Sequence, residues 1–322
     1  MGLFWYKNKR YSVDDGIIEE RKPEPEQVRP VYPVTNADGL PVAVCGEIPD
    51  GLATIREGGQ SFVMWRDAAA YTAPKRSFCD FYKSLLDTPG GVLVSGATGS
   101  GKSVVLNGIL CEILGTFAPE GAASGKTCDI YLCDPKIVEF RAYRVAPHVR
   151  RYADTPDEIF RVMDEVDRIM MDRYNDMAER GLKMWDGSPV FLFIDEIGDL
   201  MLTRKGDFLP RLTHLLNLCR AAKITVFLAS QSPSRQTIPA VVQLNCTAKI
   251  CLKCDTAIES RQVVGIPGGE DLPAHGTALV RTPKTGGIIK QEIPNCTDAQ
   301  VADILRRVTI AEEDTIRKQR IA

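Results

Sequence analysis

The sequence has no hydrophobic run of the roughly 20 residues that a transmembrane helix needs. Its first ten residues, MGLFWYKNKR, lack the apolar stretch of a secretory signal peptide, and no Ser or Thr stands at the sixth position as a myristoylation signal requires. These absences predict a cytoplasmic protein. Any recruitment to the inner face of a membrane is then expected to come through a membrane-associated partner protein.

A large excess of charge is missing too, because 40 Lys and Arg stand against 42 Asp and Glu for a formal net charge of −2. Contact with nucleic acid must therefore be local, such as a patch or a pore lining. The ten cysteines form no metal-ligand pattern, since Cys251-x-x-Cys254 has neither a second pair nor a histidine nearby. We interpret that pair as ordinary strand positions and the cysteines as buried, reduced thiols.

The N-terminal quarter of the chain differs in composition from the rest. Residues 1–40 are polar and rich in proline, which predicts an extended arm. Short apolar runs in residues 41–88 predict a small β-rich element, followed by a lead-in helix over residues 76–86.

Residues 89–294 show apolar runs that alternate with helical patterns. Strands are predicted at Val92–Val94, Ile130–Cys133, Val190–Ile194, Thr225–Ala229 and Lys249–Leu252. Between them, Thr155-Pro-Asp-Glu158 predicts the start of a helix that ends at Gly181, and a second helix is predicted over Phe208–Ala222. This alternation is typical of an α/β domain with a mostly parallel sheet. Residues 295–322 predict a C-terminal helix and a charged, frayed tail.

A complete phosphate-loop motif follows the first of these strands. Gly96-Ala-Thr-Gly99-Ser-Gly101-Lys102-Ser103 fits G-x-x-x-x-G-K-[ST] between a strand and a helix. Backbone N–H groups of such a loop surround phosphates, and the helix N-terminus favours their charge. We therefore expect ATP to bind at Gly96, Ala97, Thr98, Gly99, Ser100, Gly101, Lys102, Ser103 and Val104. Lys102 is expected to reach the β- and γ-phosphates, and Ser103 to ligate Mg²⁺.

Two acidic residues end the predicted strand VFLFI. At the carboxyl end of a buried strand, Asp195 is expected to hold Mg²⁺, and Glu196 to orient and polarise the attacking water. Gln231, after the next predicted strand, is a candidate sensor of the γ-phosphate. Arg220 is a candidate to reach a neighbouring subunit, although its spacing fits a plain surface arginine nearly as well.

From about Gly90 to Glu292, the chain resembles the motor domain of the FtsK/SpoIIIE family of double-stranded-DNA translocases. Besides GATGSGKSVVLNGIL and VFLFIDEIGDLM, the ordered motifs that carry the resemblance are CDPKIVEF, VAPHVRRY, CRAAKITVFLASQSP and IESRQVV. The resemblance implies a RecA-like P-loop ATPase core in a ring, expected to be a homo-hexamer, that threads DNA through its pore. It also implies that Arg220 acts across the subunit boundary and makes Arg261 a second candidate near the nucleotide.

The chain departs from that family pattern at positions expected to face DNA. Ser232 replaces a usual Arg, Gln243 a common Lys, and Lys249 an Arg. Candidate DNA contacts are Lys183, Arg235 and Lys249, although Lys183 and Arg235 suit solvated loops equally well. The family's membrane-spanning region and winged-helix module are not found in the sequence, and the segment ERGLKMWDG replaces a longer loop.

Three functions remain open at this point. The first is an ATP-driven translocase of double-stranded DNA, in conjugative or mobile-element transfer. The second is a polypeptide-pumping ATPase of the type VII secretion class, although such motors usually carry tandem ATPase domains and this sequence has one phosphate loop. The third is a non-motor ATP-binding scaffold, which an intact Glu196 and Gln231 argue against.

Overall fold

The computed structural model describes residues 80–87, 89–118 and 126–321, together with six strands between residues 2 and 65. The chain divides into two units, Met1–Cys79 and Asp80–Ala322. Among the helices of the described residues, none combines the length and the apolar character that a membrane crossing demands.

The first unit contains a six-stranded sheet. Its strands are β1 (Gly2–Tyr6), β2 (Lys9–Asp14), β3 (Ile17–Arg21), β4 (Tyr32–Val34), β5 (Leu52–Glu57) and β6 (Gln60–Trp65), in the order β3-β2-β1-β5-β6-β4. Neighbouring strands pair antiparallel, except that β1 and β5 run parallel.

The structure here differs from the extended arm expected for residues 1–40, because β1, β2 and β3 follow one another as an antiparallel meander. In the sequence, Asp15-Gly16 stands between β2 and β3, and this dipeptide is typical of hairpins.

The second unit contains an eight-stranded sheet among its described residues. Its strands are β7 (Gly90–Ser95), β8 (Asp129–Cys133), β9 (Val149–Ala153), β10 (Val190–Ile194), β11 (Ile224–Ser230), β12 (Cys246–Cys251), β13 (Thr277–Arg281) and β14 (Ile288–Glu292). The order is β14-β13-β12-β7-β11-β10-β8-β9. The six strands from β12 to β9 pair in parallel, and β13 and β14 add an antiparallel edge. The predicted α/β fold with a mostly parallel sheet is confirmed.

Helices connect and cover these strands. They are α1 (Asp80–Leu86), α2 (Lys102–Thr116), α3 (Pro156–Arg180), α4 (Ile197–Thr203), α5 (Lys205–Leu218), α6 (Ala240–Asn245), α7 (Ala257–Val264) and α8 (Asp298–Ile321). The start of α3 is as predicted, because the Thr155 side chain accepts a hydrogen bond from the Glu158 N–H and Pro156 takes the first helical position. Its end is also as predicted, since Gly181 adopts φ +66°, a left-handed conformation that glycine favours.

The core lies on both faces of the central strands. All residues of β7, β10 and β11 are buried, which explains their nearly continuous apolar sequences. Phe193 and Phe227 stack across β10 and β11 with ring centroids 4.4 Å apart. On the opposite face, the Met-containing stripe of α3 is buried in the core, as the sequence pattern predicts.

Four details differ from the sequence expectations. The described part of the lead-in helix, α1, belongs to the second unit, and α5 covers Lys205–Leu218 instead of Phe208–Ala222. The α5 helix ends early because residues 219–223 form a turn in which Lys223 has φ +55°. The C-terminal helix α8 continues to Ile321 through the stretch expected to fray. Strands β9, β13 and β14 were not predicted, and β9 and β14 carry charged, partly exposed residues that obscure an apolar pattern.

The parallel strands bring the sequence motifs to one edge of the sheet. The phosphate loop follows β7, Gln231 follows β11, Asp195 and Glu196 follow β10, and Asp134 follows β8. These four strands are consecutive neighbours in the sheet. Ligands of open α/β sheets bind outside the carboxyl ends of the strands, so this edge is the place to look for a site.

Candidate nucleotide-binding site

The phosphate loop has the conformation that its glycines predict. Gly99 and Gly101 adopt φ +78° and +96°, in the left-handed region that other residues rarely enter. At Gly96 the constraint is space, since an added Cβ would lie 2.7 Å from the Leu252 Cβ atom. The loop is anchored to its neighbours by the Gly96 N–H, which donates to the Ser230 carbonyl oxygen, and the Ala97 N–H, which donates to that of Lys253.

Lys102 and Asp195 meet behind the loop. The Lys102 Nζ atom lies 3.1 Å from Asp195 Oδ1 and donates a hydrogen bond to the Asp195 main-chain carbonyl oxygen, 3.2 Å away. Both side chains are buried, with 5% and 0% of their surfaces exposed. Burial raises the pKa of Asp195 to about 6, while the positive charge of Lys102 works against this rise.

The Asp195 carboxylate has few interaction partners for a buried charged group. Apart from the Lys102 ammonium near Oδ1, its two oxygens have no partner among the residues that the structure describes. A buried carboxylate with so few donors suits a cation with its bound waters, and Mg²⁺ prefers oxygen ligands. The Ser103 hydroxyl adds an oxygen in the first turn of α2, so the residues present fit the predicted Mg²⁺ site.

Glu196 is held in place by backbone N–H groups. Its Oε1 atom accepts from the Gly198 N–H at 3.0 Å, and its Oε2 atom accepts from the Gln231 N–H at 3.2 Å. The first contact also caps the N-terminus of α4, so Glu196 has a structural role beside the predicted catalytic one. The second contact ties the predicted catalytic acid to the predicted sensor strand.

A loop that sequence reasoning left without site residues also reaches this edge. In the segment after β8, the Lys136 ammonium lies 3.4 Å from Glu196 Oε2, and Glu139 accepts a hydrogen bond from the Ser103 hydroxyl at 2.5 Å. The Asp134 carboxylate shapes the loop by accepting from the Val138 and Phe140 N–H groups. The motif CDPKIVEF signalled the loop, but residue spacing gave no sign of which side chains turn toward the phosphate loop.

Arg220 lies on the opposite edge of the sheet. It stands in the turn before β11 instead of on α5, and its exposed side chain has no hydrogen bond or ion pair to the described residues. The seven residues of β11 separate this turn from Gln231, a span of about 20 Å at the usual strand rise. Arg220 is therefore too far from the phosphate loop of its own chain to act there.

The three candidate DNA contacts do not share a surface. Lys183 is exposed on the same edge as Arg220, because the nearby Trp185 N–H donates to the Ala221 carbonyl oxygen at 2.8 Å. Arg235 is exposed in the loop after β11, at the edge that carries the phosphate loop. Lys249 lies within β12 beside Arg281, and burial lowers its pKa.

The described cysteines are free and buried, as expected. Burial raises the pKa of Cys251 to about 12 and that of Cys254 above its ordinary value, so neither thiol is activated. Within the residues that the structure describes, no three His, Cys, Asp or Glu side chains are grouped to hold a metal ion.

Comparisons with known proteins agree with the resemblance seen in the motifs. The model of the FtsK/SpoIIIE family matches residues 78–252. The chain is 28% identical to the DNA translocase FtsK of Listeria monocytogenes over 243 residues, which cover 69% of this chain and 31% of that protein. It is 30% identical to the DNA translocase SpoIIIE of Bacillus subtilis over 208 residues, covering 58% and 26%. The chain thus spans about a third or less of the length of these curated relatives.

Solved structures share the fold at lower sequence identity. The pCW3 conjugation coupling protein TcpA, in its monomer form with ATPγS, superposes with a TM-score of 0.59 at 20% identity, covering 80% of this chain and 82% of that one. The cytoplasmic domain of the Thermomonospora curvata type VII secretion ATPase EccC gives 0.55 at 23% identity, covering 68% and 27%. Both similarities concern the fold.

Proposed function

The chain belongs to the FtsK/SpoIIIE family, and we propose that it hydrolyses ATP and uses the energy to move double-stranded DNA. The observation that carries the ATPase part is the convergence of Lys102, Asp195 and Glu196 at the carboxyl edge of the sheet, beside the phosphate loop. This arrangement supplies a phosphate cradle, a cation site and an acid next to one another.

Each of these groups has a distinct task in hydrolysis. The loop N–H groups bind the phosphates, and Lys102 exchanges its contact with Asp195 for the β- and γ-phosphate oxygens. Ser103 and Asp195 would hold Mg²⁺, which would neutralise charge on the phosphates when bound. Glu196, fixed at one oxygen by Gly198 and at the other by Gln231, orients and polarises the attacking water.

A second copy of the chain completes the site. Phosphoryl transfer is accelerated by an arginine that neutralises transition-state charge, and Arg220 is out of reach of its own phosphate loop. Its exposure and lack of partners among the described residues suit a side chain that contacts the nucleotide of a neighbouring subunit. The family resemblance implies a hexameric ring. In a closed ring every subunit has such a neighbour.

Double-stranded DNA is the proposed substrate because the relatives matched by sequence are named DNA translocases. The conjugation coupling protein among the fold neighbours is compatible with a role in conjugative or mobile-element transfer. Arg235 is the candidate DNA contact on the edge of the sheet that carries the phosphate loop, where ATP hydrolysis could move the loop after β11. Recruitment by a membrane-associated partner remains part of the prediction.

Polypeptide pumping is the second candidate, since the type VII secretion ATPase EccC shares the fold. That similarity stays under 25% identity, whereas the DNA translocases match at 28–30%. The sequence relationship therefore favours DNA.

ATP hydrolysis by the purified protein, at rising salt with and without long double-stranded DNA, tests the proposal. DNA should stimulate turnover, and the stimulation should fade as salt rises, because phosphate contacts are salt-sensitive and independent of sequence. Lys102→Ala is the inactive control. Turnover that ignores DNA at every protein concentration would contradict the DNA motor and favour a polypeptide substrate, and a protein that binds ATP without turnover would be the non-motor scaffold.

A further inference from the structure

A contact between two side chains 36 positions apart joins the loop after β8 to the phosphate loop. Ser103, in the first turn of α2, donates its hydroxyl proton to Glu139 Oε1. Ser103 is the last residue of the phosphate-loop motif, so the contact joins Glu139 to the proposed nucleotide site. Glu139 is half-buried and makes no other hydrogen bond or ion pair to the described residues.

A serine hydroxyl that ligates a cation through oxygen must still donate its proton to an acceptor. We propose that Glu139 is that acceptor, a positioning residue that aims a lone pair of Ser103 at Mg²⁺ and adds negative charge next to the cation. The inference rests on the proposed function, because it assigns Glu139 to the Mg²⁺ site of the same ATPase. Groups that orient metal ligands in this way commonly change metal affinity by 10–100-fold when they are removed.

The loop is built to place Glu139 there. Asp134 is fully buried and accepts hydrogen bonds from the Phe140 N–H at 2.9 Å and the Tyr152 hydroxyl at 3.1 Å. Between these anchors, Ile137 adopts φ +60°, which is strained for a β-branched residue. Strain of this kind persists only where the surrounding structure imposes it, and here it turns the next residues back toward α2.

Phe140 and Tyr143 secure the other end of the loop. The Phe140 ring packs on Phe193 of β10 with centroids 5.7 Å apart, and the Tyr143 hydroxyl donates to Asn107 of α2 at 2.9 Å. The Glu139 backbone is thus fixed to the sheet and to the helix that carries Ser103. The Ser103–Glu139 contact is therefore not needed to hold the loop in place, which distinguishes a metal-directed role from a structural one.

The test is a Mg²⁺ titration of nucleotide binding, read by the fluorescence of a labelled, non-hydrolysable ATP analogue. Glu139→Ala should raise the Mg²⁺ concentration for half-maximal binding by about 10–100-fold, while binding in EDTA stays as in the wild type. Glu139→Gln should have a smaller effect, because its amide oxygen still accepts a hydrogen bond. Ser103→Ala should also raise the Mg²⁺ concentration for half-maximal binding. The double variant with Glu139→Ala should need no more Mg²⁺ than Ser103→Ala alone.

Glu165→Gln is the matched control. Glu165 is also a glutamate that accepts side-chain hydrogen bonds, but its partners are Tyr131 and Arg151 on β8 and β9 and not a residue of the phosphate loop. It should titrate like the wild type, and thermal unfolding should show every variant folded. An unchanged Mg²⁺ requirement in Glu139→Ala, or an equal loss of binding in EDTA, would overturn the assignment. Wild-type protein that binds no nucleotide at any Mg²⁺ concentration would refute the proposed function itself.

Discussion

The Lys102 ammonium lies 3.1 Å from Asp195 Oδ1, although the two residues belong to motifs 93 positions apart. The contact links the first turn of α2 to the carboxyl end of β10, two strands away from β7 in the sheet. It places the lysine proposed to bind phosphate and the acid proposed to hold Mg²⁺ in one buried spot. In the proposed mechanism nucleotide binding separates this pair, so the strength of the contact would set part of the cost of binding.

We expect Lys102→Ala and Asp195→Asn to be strongly non-additive in stability. Each change leaves a buried group without its charged partner, whereas the double variant removes both. The coupling free energy from urea unfolding without nucleotide should be about 1–3 kcal/mol. The exposed pair Lys284–Asp87, at 2.8 Å, is the matched control and should couple by less than about 1 kcal/mol. Additive effects in the buried pair would mean that it contributes no stability.

Glu196→Gln should abolish turnover while ATP binding persists. The glutamine oxygen can still accept from the Gly198 N–H, so the cap of α4 survives, but an amide cannot polarise water as a carboxylate does. Steady-state ATPase assays should show a loss of at least about 100-fold with nearly unchanged nucleotide affinity. Asp199→Asn, an exposed acid in the first turn of the same helix, should keep wild-type turnover. Wild-type turnover in Glu196→Gln would leave Glu196 with a capping role alone.

The sequence could predict those parts of the site that a short contiguous motif specifies. The phosphate loop and the acids after β10 are contiguous motifs in a strand-to-helix context, and the structure brings them together as expected. The limits of α3 were equally local, set by Thr155 and Gly181. The role of each residue stays a prediction, since geometry places side chains without measuring chemistry.

The parts that were missed depend on distant or unusual backbone geometry. The approach of Glu139 to Ser103 needs a positive φ at Ile137, which no propensity scale favours for isoleucine. Arg220 was placed on a helix because the apolar spacing continues to Ala222, although the chain turns at Lys223 with φ +55°. Its position on the far edge follows from chain direction, because Arg220 precedes β11 whereas the phosphate loop follows β7, and these two strands run parallel.

Arg220→Ala should lower ATP turnover by about 10³-fold or more if it serves a neighbouring nucleotide. A mixture of Arg220→Ala and Lys102→Ala chains should regain activity, because some interfaces then combine an intact phosphate loop with an intact arginine. Asn217→Ala, an exposed position in the last turn of α5, is the control and should behave as the wild type. Mixtures that stay inactive, or an active Arg220→Ala protein, would contradict action across subunits.

His148 should make the stability of the domain depend on pH. Its side chain is buried, its Nε2 atom contacts the Phe117 carbonyl oxygen at 2.9 Å, and its Nδ1 atom has no partner among the described residues. Burial lowers the pKa of His148 below the ordinary value of 6.5, against the opposing effect of the Phe117 hydrogen bond. Below pH 6.5 the unfolded chain therefore binds a proton that the folded chain resists.

The sign of the effect follows from this difference in proton binding. The stability contributed by neutral His148 is fully present above pH 6.5 and is lost as the pH falls from there through the lowered folded-state pKa. This loss should be absent in His148→Gln. The free energy of unfolding of the wild type minus that of His148→Gln should therefore be constant above about pH 7.5 and shrink below pH 6.5. Urea unfolding from pH 5 to 8 measures it, with the exposed His275→Gln as the control. Parallel pH curves for wild type and His148→Gln would refute the assignment, because other titrating groups, Asp195 included, are common to both proteins and cancel in the difference.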